Sequence, residues 1–212
     1  MEVIEKQIKH NITKYTRKLE DIKYVVVHGT GNTNKDADAE AHYNYFNNSE
    51  NRNSSADFFV DEDEIIKVND YMAGYTWHCG DGKGKYGATN KNSIGIEICV
   101  NGDVDKAIDN TILLCRQLIS KSLKHAKIVR HYDASRKLCP DFFVDMKIKG
   151  YNKAYIDFME AVYKVDTKQE SLIAGINVAY TKGLISSKSY WRNKTDNDID
   201  IKQLFINCNK LA

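Results

Sequence analysis

At 212 residues the chain is long enough for one substantial core plus a small appendage, and too short for a repeat array or a large multidomain assembly. With 42% hydrophobic and 28% charged residues it has the composition of a globular chain, and no stretch approaches the ~18 consecutive apolar residues of a membrane span. A formal net charge of +2 supplies no general attraction to nucleic acid or to a membrane surface, so neither is expected as a partner. The start, Met1-Glu2-Val3-Ile4-Glu5, lacks the basic and apolar segments of a secretory signal, and cytoplasmic synthesis is the expectation. The five cysteines (79, 99, 115, 139 and 208) are odd in number and scattered, which points to reduced thiols, one of them available to a metal.

In chain order, Lys23-Tyr24-Val25-Val26-Val27-His28 is a β-branched run without helical period and predicts a buried strand ending at His28, before a Gly-Thr-Gly loop. Asp36 to Asn48 predicts a helix that starts from possible Asn/Asp caps. Ala56 to Val60 and Ile65 to Val68, separated by Asp61-Glu62-Asp63-Glu64, predict a hairpin. Ala73 to Asn92 holds five glycines around Trp77-His78 and reads as a long surface loop, a kind that is usually functional or disordered. In Ser93 to Val100 the alternation places Gly95, Glu97 and Cys99 on one strand face and Ile94, Ile96 and Ile98 on the other, which leaves Glu97 as the residue needing a purpose. Asp105 to Leu123 has the spacing of an amphipathic helix, Lys127 to His131 predicts another strand, and Tyr151 to Tyr163 a closing helix. The Thr167-x-x-Glu170 capping signature then opens a separate C-terminal segment, expected to form two short helices.

His28 and His131 at strand ends and Cys139 eight residues later are the ligand types and number of a catalytic zinc site, which keeps its fourth position open. Spacing alone leaves the plainer reading open, of hydrogen-bonded core-edge histidines and a small buried thiol.

Four stretches bear on this choice: Val25-Val26-Val27-His28-Gly29-Thr30, Trp77-His78-Cys79-Gly80, Asn92-Ser93-Ile94-Gly95-Ile96-Glu97, and Arg130-His131-Tyr132-Asp133 running on to Lys137-Leu138-Cys139-Pro140. In these motifs, and in their order over roughly residues 22–162, the chain resembles the type 2 N-acetylmuramoyl-L-alanine amidase family, which also includes the peptidoglycan recognition proteins. The resemblance implies an α/β fold with a central mixed β-sheet flanked by helices. It also implies Zn2+ held by His28, His131 and Cys139, with Glu97 and Lys137 beside it as catalytic residues. Glu97 is suited to take a proton from water, and Lys137 to stabilise an oxyanion. His78 and Trp77 would line the substrate groove, and Thr30 would shape the site. The family often has a histidine in the strand that reads Ser55-Ala56-Asp57-Phe58-Phe59 here; Asp57 is a departure that bears on substrate contact and on none of the metal or catalytic assignments.

The implied activity is hydrolysis of the amide between the muramic acid lactyl group and L-alanine in bacterial peptidoglycan. The expected setting is a phage or prophage endolysin of a clostridial-type Gram-positive host, reaching the wall after holin-type release. A host autolysin or sporulation amidase is the alternative within the class. A non-catalytic peptidoglycan-binding module is the alternative outside it, and such binders typically lose the cysteine ligand that this chain keeps. The division expected is a catalytic domain over 1–165 and a small α-helical module over 166–212. In that module Leu172, Ile173, Ile176 and Ala179 form one apolar stripe and Leu204, Phe205, Cys208 and Leu211 another, suited to wall binding, to a homodimer, or to capping the catalytic domain.

Overall fold

The valine run becomes an interior strand because its residues are apolar on both sides. Val25, Val26 and Val27 are all fully buried, as befits a parallel strand covered on two faces. The computed structural model describes residues 2–164, and the expected C-terminal helices lie outside them. The chain divides into two units, Met1–Tyr163 and Lys164–Ala212, of which the first holds every described strand and helix.

Six strands form the main sheet: β1 (Val3–Glu5), β3 (Tyr24–Gly29), β4 (Phe58–Val60), β5 (Ile65–Lys67), β7 (Ser93–Ile98) and β8 (Lys127–Arg130), in the order β1-β5-β4-β7-β3-β8. Only β4 and β5 pair antiparallel, as the expected hairpin, so the sheet is mixed. β2 (Ile12–Lys14) pairs with β6 (Gly74–Thr76), and β9 (Val144–Asp145) with β10 (Gly150–Tyr151), in two small ribbons. The helices are α1 (Ala39–Asn48), α2 (Val104–Lys121), α3 (His131–Ser135) and α4 (Lys153–Tyr163). Asp38 and Asp103 cap α1 and α2 by accepting from the Ala41 and Lys106 amides. No helix among the described residues is long and apolar enough to cross a membrane.

The period-2 alternation of the strands separates core from site. Val25, Val27, Phe58, Val60, Ile94 and Ile96 face α2 and α4, against Leu114, Leu118, Phe158 and Val162. The opposite face carries Val26, His28, Gly95 and Glu97, with α1 packed beside Phe59, Ile66 and Cys99.

Three expectations change. The first residues add an edge strand, β1, that three residues of pattern do not announce. His131 opens α3 rather than ending a strand. The glycine-rich segment is not a surface loop throughout: it contains β6 and a 3-10 turn at Gly80–Gly82, and buries Thr76, His78, Cys79 and Ala88. Glycine makes that packing possible, since a Cβ on Gly82 would stand 2.2 Å from the Ala134 carbonyl oxygen of α3.

Asp57 is not at the groove surface either. Fully buried, it accepts from Asn69 Nδ2 (2.7 Å), Thr76 Oγ1 (2.8 Å) and the Gly95 amide (2.7 Å), tying β4, β6 and β7 together. Burial pushes its carboxyl above the usual carboxylate range, against the pull of those hydrogen bonds and of Arg17. Asp57→Ala leaves three buried donors unpaired, and the expected loss is about 3–5 kcal/mol in the denaturant midpoint analysis. A loss below about 1 kcal/mol would show that the donors find other acceptors.

Candidate active site

β3 and β7 run parallel with His28 paired to Glu97, so the two side chains emerge side by side on the face away from α2 and α4. His131 follows β8 directly. Its position is set by the buried Arg130, which donates to both carboxylate oxygens of Asp133 (3.0 and 2.7 Å) and to the carbonyls of Phe143 (2.9 Å) and Gly150 (2.8 Å). The Arg130 guanidinium also lies over the Tyr151 and Tyr155 rings, at 4.5 and 4.7 Å. Cys139 is brought back to the same place by the Tyr132 amide, which donates to the Cys139 carbonyl at 2.9 Å.

The result is a tight convergence of three buried groups. His28 Nδ1 lies 2.9 Å from His131 Nδ1 and 3.9 Å from Cys139 Sγ, and all three donor atoms lie within 4.8 Å of one another. Each imidazole has its far nitrogen occupied. His131 Nε2 donates to Asp81 Oδ1 at 3.0 Å, and His28 Nε2 lies 3.1 Å from His78 Nδ1. Burial holds His28 well below the usual histidine value, with His131, His78 and Lys137 adding to the effect, and burial also lowers His131 against the pull of Asp81. Neutral imidazoles are the form that binds a metal. Two histidines and a cysteine, turned toward one point with a carboxylate behind one of them, match the ligand set and outer support of a catalytic metal site.

Glu97 borders this point. Its Oε1 lies 3.9 Å from His28 Nδ1, while its buried Oε2 has no hydrogen-bond partner among the described residues. Burial pushes the Glu97 carboxyl up to about 7, opposed by the charge of Lys137. Burial also pushes the Cys139 thiol up to about 12, with Glu97 adding to it; a coordinating dication reverses this, since a ligating thiol is deprotonated outright.

A cavity of about 210 Å³ covers His28, Glu97, His131 and Cys139. Two neighbouring pockets share lining residues with it: one of about 520 Å³, which also holds Asn32 and Tyr45, through Thr30 and His42, and one of about 700 Å³, which also holds Trp77 and Asp81, through Ser54 and Lys137. Thr30 Oγ1 is buried beside the cavity with no hydrogen-bond partner among the described residues. Trp77 is 41% exposed and donates from Nε1 to Thr13 Oγ1 at 3.0 Å, which holds its ring at the rim. Lys137 is exposed and lines both the cavity and the second pocket. His78 lines the groove wall, yet both its ring nitrogens are engaged, by His28 and by Ser93 Oγ at 3.1 Å. Asp81 and Ser93 escaped the sequence reading. Asp81 sits between two glycines in a segment read as a loop, and Ser93 is a small residue at a strand start, so neither carries a local signal.

The fold and the site together define an α/β protein whose central cavity is lined by two histidines and a cysteine that could hold a metal ion. Sequence comparison then places it: the family described as N-acetylmuramoyl-L-alanine amidase matches residues 18–142, more than half of the chain, and the protein belongs to that family. Among its relatives, the N-acetylmuramoyl-L-alanine amidase CwlH of Bacillus subtilis is 39% identical over 125 residues, 58% of this chain and 48% of CwlH. The solved catalytic domain of XlyA superposes with a TM-score of 0.62 at 30% identity, covering 76% of this chain and 99% of that domain. A mutant endolysin from Bacillus subtilis superposes at 0.63 with 33% identity, covering 76% and 98%. The chain spans about half the length of the curated relatives it matches, or less.

Proposed function

We propose that this protein is a zinc-dependent N-acetylmuramoyl-L-alanine amidase, hydrolysing the amide between the muramic acid lactyl group and L-alanine of bacterial peptidoglycan. The observation that carries the proposal is the convergence of His28 Nδ1, His131 Nδ1 and Cys139 Sγ within 4.8 Å in the wall of a cavity, beside a Glu97 oxygen that has no hydrogen-bond partner among the described residues. His28, His131 and Cys139 would hold the metal. Zinc bound there supplies a Lewis acid and a water whose pKa is lowered to ~7.

The chain's own groups do the rest. Glu97 Oε2, without a hydrogen-bond partner among the described residues and on a carboxyl that burial pushes up to about 7, takes the proton of the attacking water and returns it to the leaving amine. Lys137 Nζ supplies positive charge for the oxyanion of the tetrahedral intermediate. The two pockets that share lining residues with the cavity offer room for the glycan and the peptide beyond the scissile bond. Residues 1–165 carry hydrolysis, and residues 166–212 bring the protein to the wall or pair it with a second copy. Likeness to a Bacillus subtilis endolysin favours a phage or prophage endolysin acting on the cell wall.

Purified protein incubated with Gram-positive walls is expected to release new N-terminal alanine without new reducing sugar. Chelation should stop the release and added zinc restore it. Reducing ends without free alanine would reassign the protein to glycan cleavage.

A further inference from the structure

A polar chain leads away from His28 on the side opposite its metal-facing Nδ1, and its direction follows from its far end. His28 Nε2 lies 3.1 Å from His78 Nδ1, His78 Nε2 lies 3.1 Å from Ser93 Oγ, and Ser93 Oγ donates to the Thr89 carbonyl oxygen. A carbonyl brings no proton, so the one hydroxyl proton of Ser93 is committed to Thr89. Ser93 Oγ therefore accepts from His78 Nε2–H. No carboxylate hydrogen-bonds to His78 among the described residues, and a neutral imidazole has one donor and one acceptor nitrogen. His78 Nδ1 is then the acceptor, and it takes the hydrogen bond of His28 Nε2–H. What remains on His28 is a bare Nδ1, the atom that faces His131 and Cys139.

The surroundings hold this arrangement in place. Arg17, itself buried, donates from Nη1 to the Ser93 carbonyl at 2.8 Å and to the Lys91 carbonyl at 2.9 Å, fixing the backbone where β7 begins. Gly95 leaves the space the His78 ring fills: a Cβ there would stand 2.7 Å from His78 Cγ. On the other ligand the Asp81 carboxylate does the same work in one step, since it accepts from His131 Nε2–H and leaves Nδ1 bare. Two lone pairs thus face each other across 2.9 Å, an arrangement that repels without a cation to share them.

We propose that Ser93 and His78 are positioning residues that fix the Nε2–H tautomer of His28 and so preset its Nδ1 as a metal ligand. The proposal rests on the zinc reading above and adds to it how the ligand is prepared. Without the Ser93 hydroxyl the chain can run backwards: His78 Nδ1–H donates to His28 Nε2, His28 Nδ1–H donates to His131 Nδ1, and His78 Nε2, which loses its serine partner in either direction, is left as a bare acceptor rather than as a buried N–H donor. That reversed chain blocks the metal, because the proton occupies the ligating atom.

Ring nitrogen spectra of the full chain, labelled with 15N and stripped of metal, report the tautomers directly. In the wild-type protein the proton of His28 is expected on Nε2. In Ser93→Ala it moves to Nδ1, and zinc affinity measured by competition with a chromogenic chelator falls about 10–100-fold. Ser93→Thr, which keeps the hydroxyl, restores both. A His28 proton on Nδ1 in the metal-free wild type overturns the proposal, as does Ser93→Ala with wild-type zinc affinity. The wild-type measurement stands even if a variant fails to fold. A wild-type protein that carries the Nε2 proton but binds no zinc sinks the zinc reading and leaves the relay intact.

Discussion

Replacing His28, His131 or Cys139 by alanine is expected to take the protein from stoichiometric to trace zinc and to reduce wall hydrolysis to the limit of detection. Each supplies one of the three protein donors that converge on the site among the described residues. A pair of remaining ligands cannot hold the metal against solvent at the affinity a catalytic site needs. The fold should survive, since the large apolar core lies on the other face of the sheet. The His28 variant loses in addition about 1–3 kcal/mol, because the buried His78 is left without its partner; Asp81, the partner of His131, is exposed and pairs with water instead. Metal analysis and a muropeptide assay on the same preparation decide the matter. Full hydrolysis by a zinc-free variant would end the metalloenzyme reading.

Glu97→Gln is expected to keep zinc and lose turnover by on the order of 10²–10³-fold, and Lys137→Ala by a similar factor, because one removes the proton acceptor and the other the charge that meets the oxyanion. The loss should fall on kcat more than on KM, since both groups act mainly in the transition state. Glu97→Gln has a second signature in the metal-free protein. The folded-state value near 7 lies above the ~4.3 of an unfolded glutamate, so between those limits the native state binds more protons. Stability from this group is complete below the lower limit and is lost as pH rises through about 7. The amide cannot titrate, and the variant should lack that decline. A muropeptide rate equal to wild type in either variant would remove the role assigned to it.

How much of this was legible in the sequence depended on whether the signal was local. Glu97 stood out because strand alternation placed a carboxylate among Gly95 and Cys99 on a face opposite three isoleucines, and the β3–β7 register then set it beside His28. Helices α1, α2 and α4 were announced by runs long enough to show a period, and the β4–β5 hairpin by two apolar runs on either side of Asp61-Glu62-Asp63-Glu64. Three-residue strands such as β1 and β2 carry no period, and exist because a distant partner satisfies their backbone groups. Asp57 read as a lost substrate contact because its three donors come from Asn69, Thr76 and Gly95, none of which is near it in sequence. Asp81 and Ser93 were hidden for the same reason, since each works through a histidine 15 to 50 positions away.

The placement of β3 between β7 and β8 has a consequence for the life of the chain on the ribosome. Residues 24–27 wait for 127–130 to be made before the strand has its second neighbour, and His28 waits 103 positions for His131 and 111 for Cys139. Pairing over such separations comes late in folding, after the loop-closure entropy has been overcome. A nascent chain therefore lacks the His28–His131–Cys139 cluster until nearly all of the described unit has emerged. On the function proposed above, translation products that stop short, and fragments clipped before Cys139, are expected to be without hydrolytic activity.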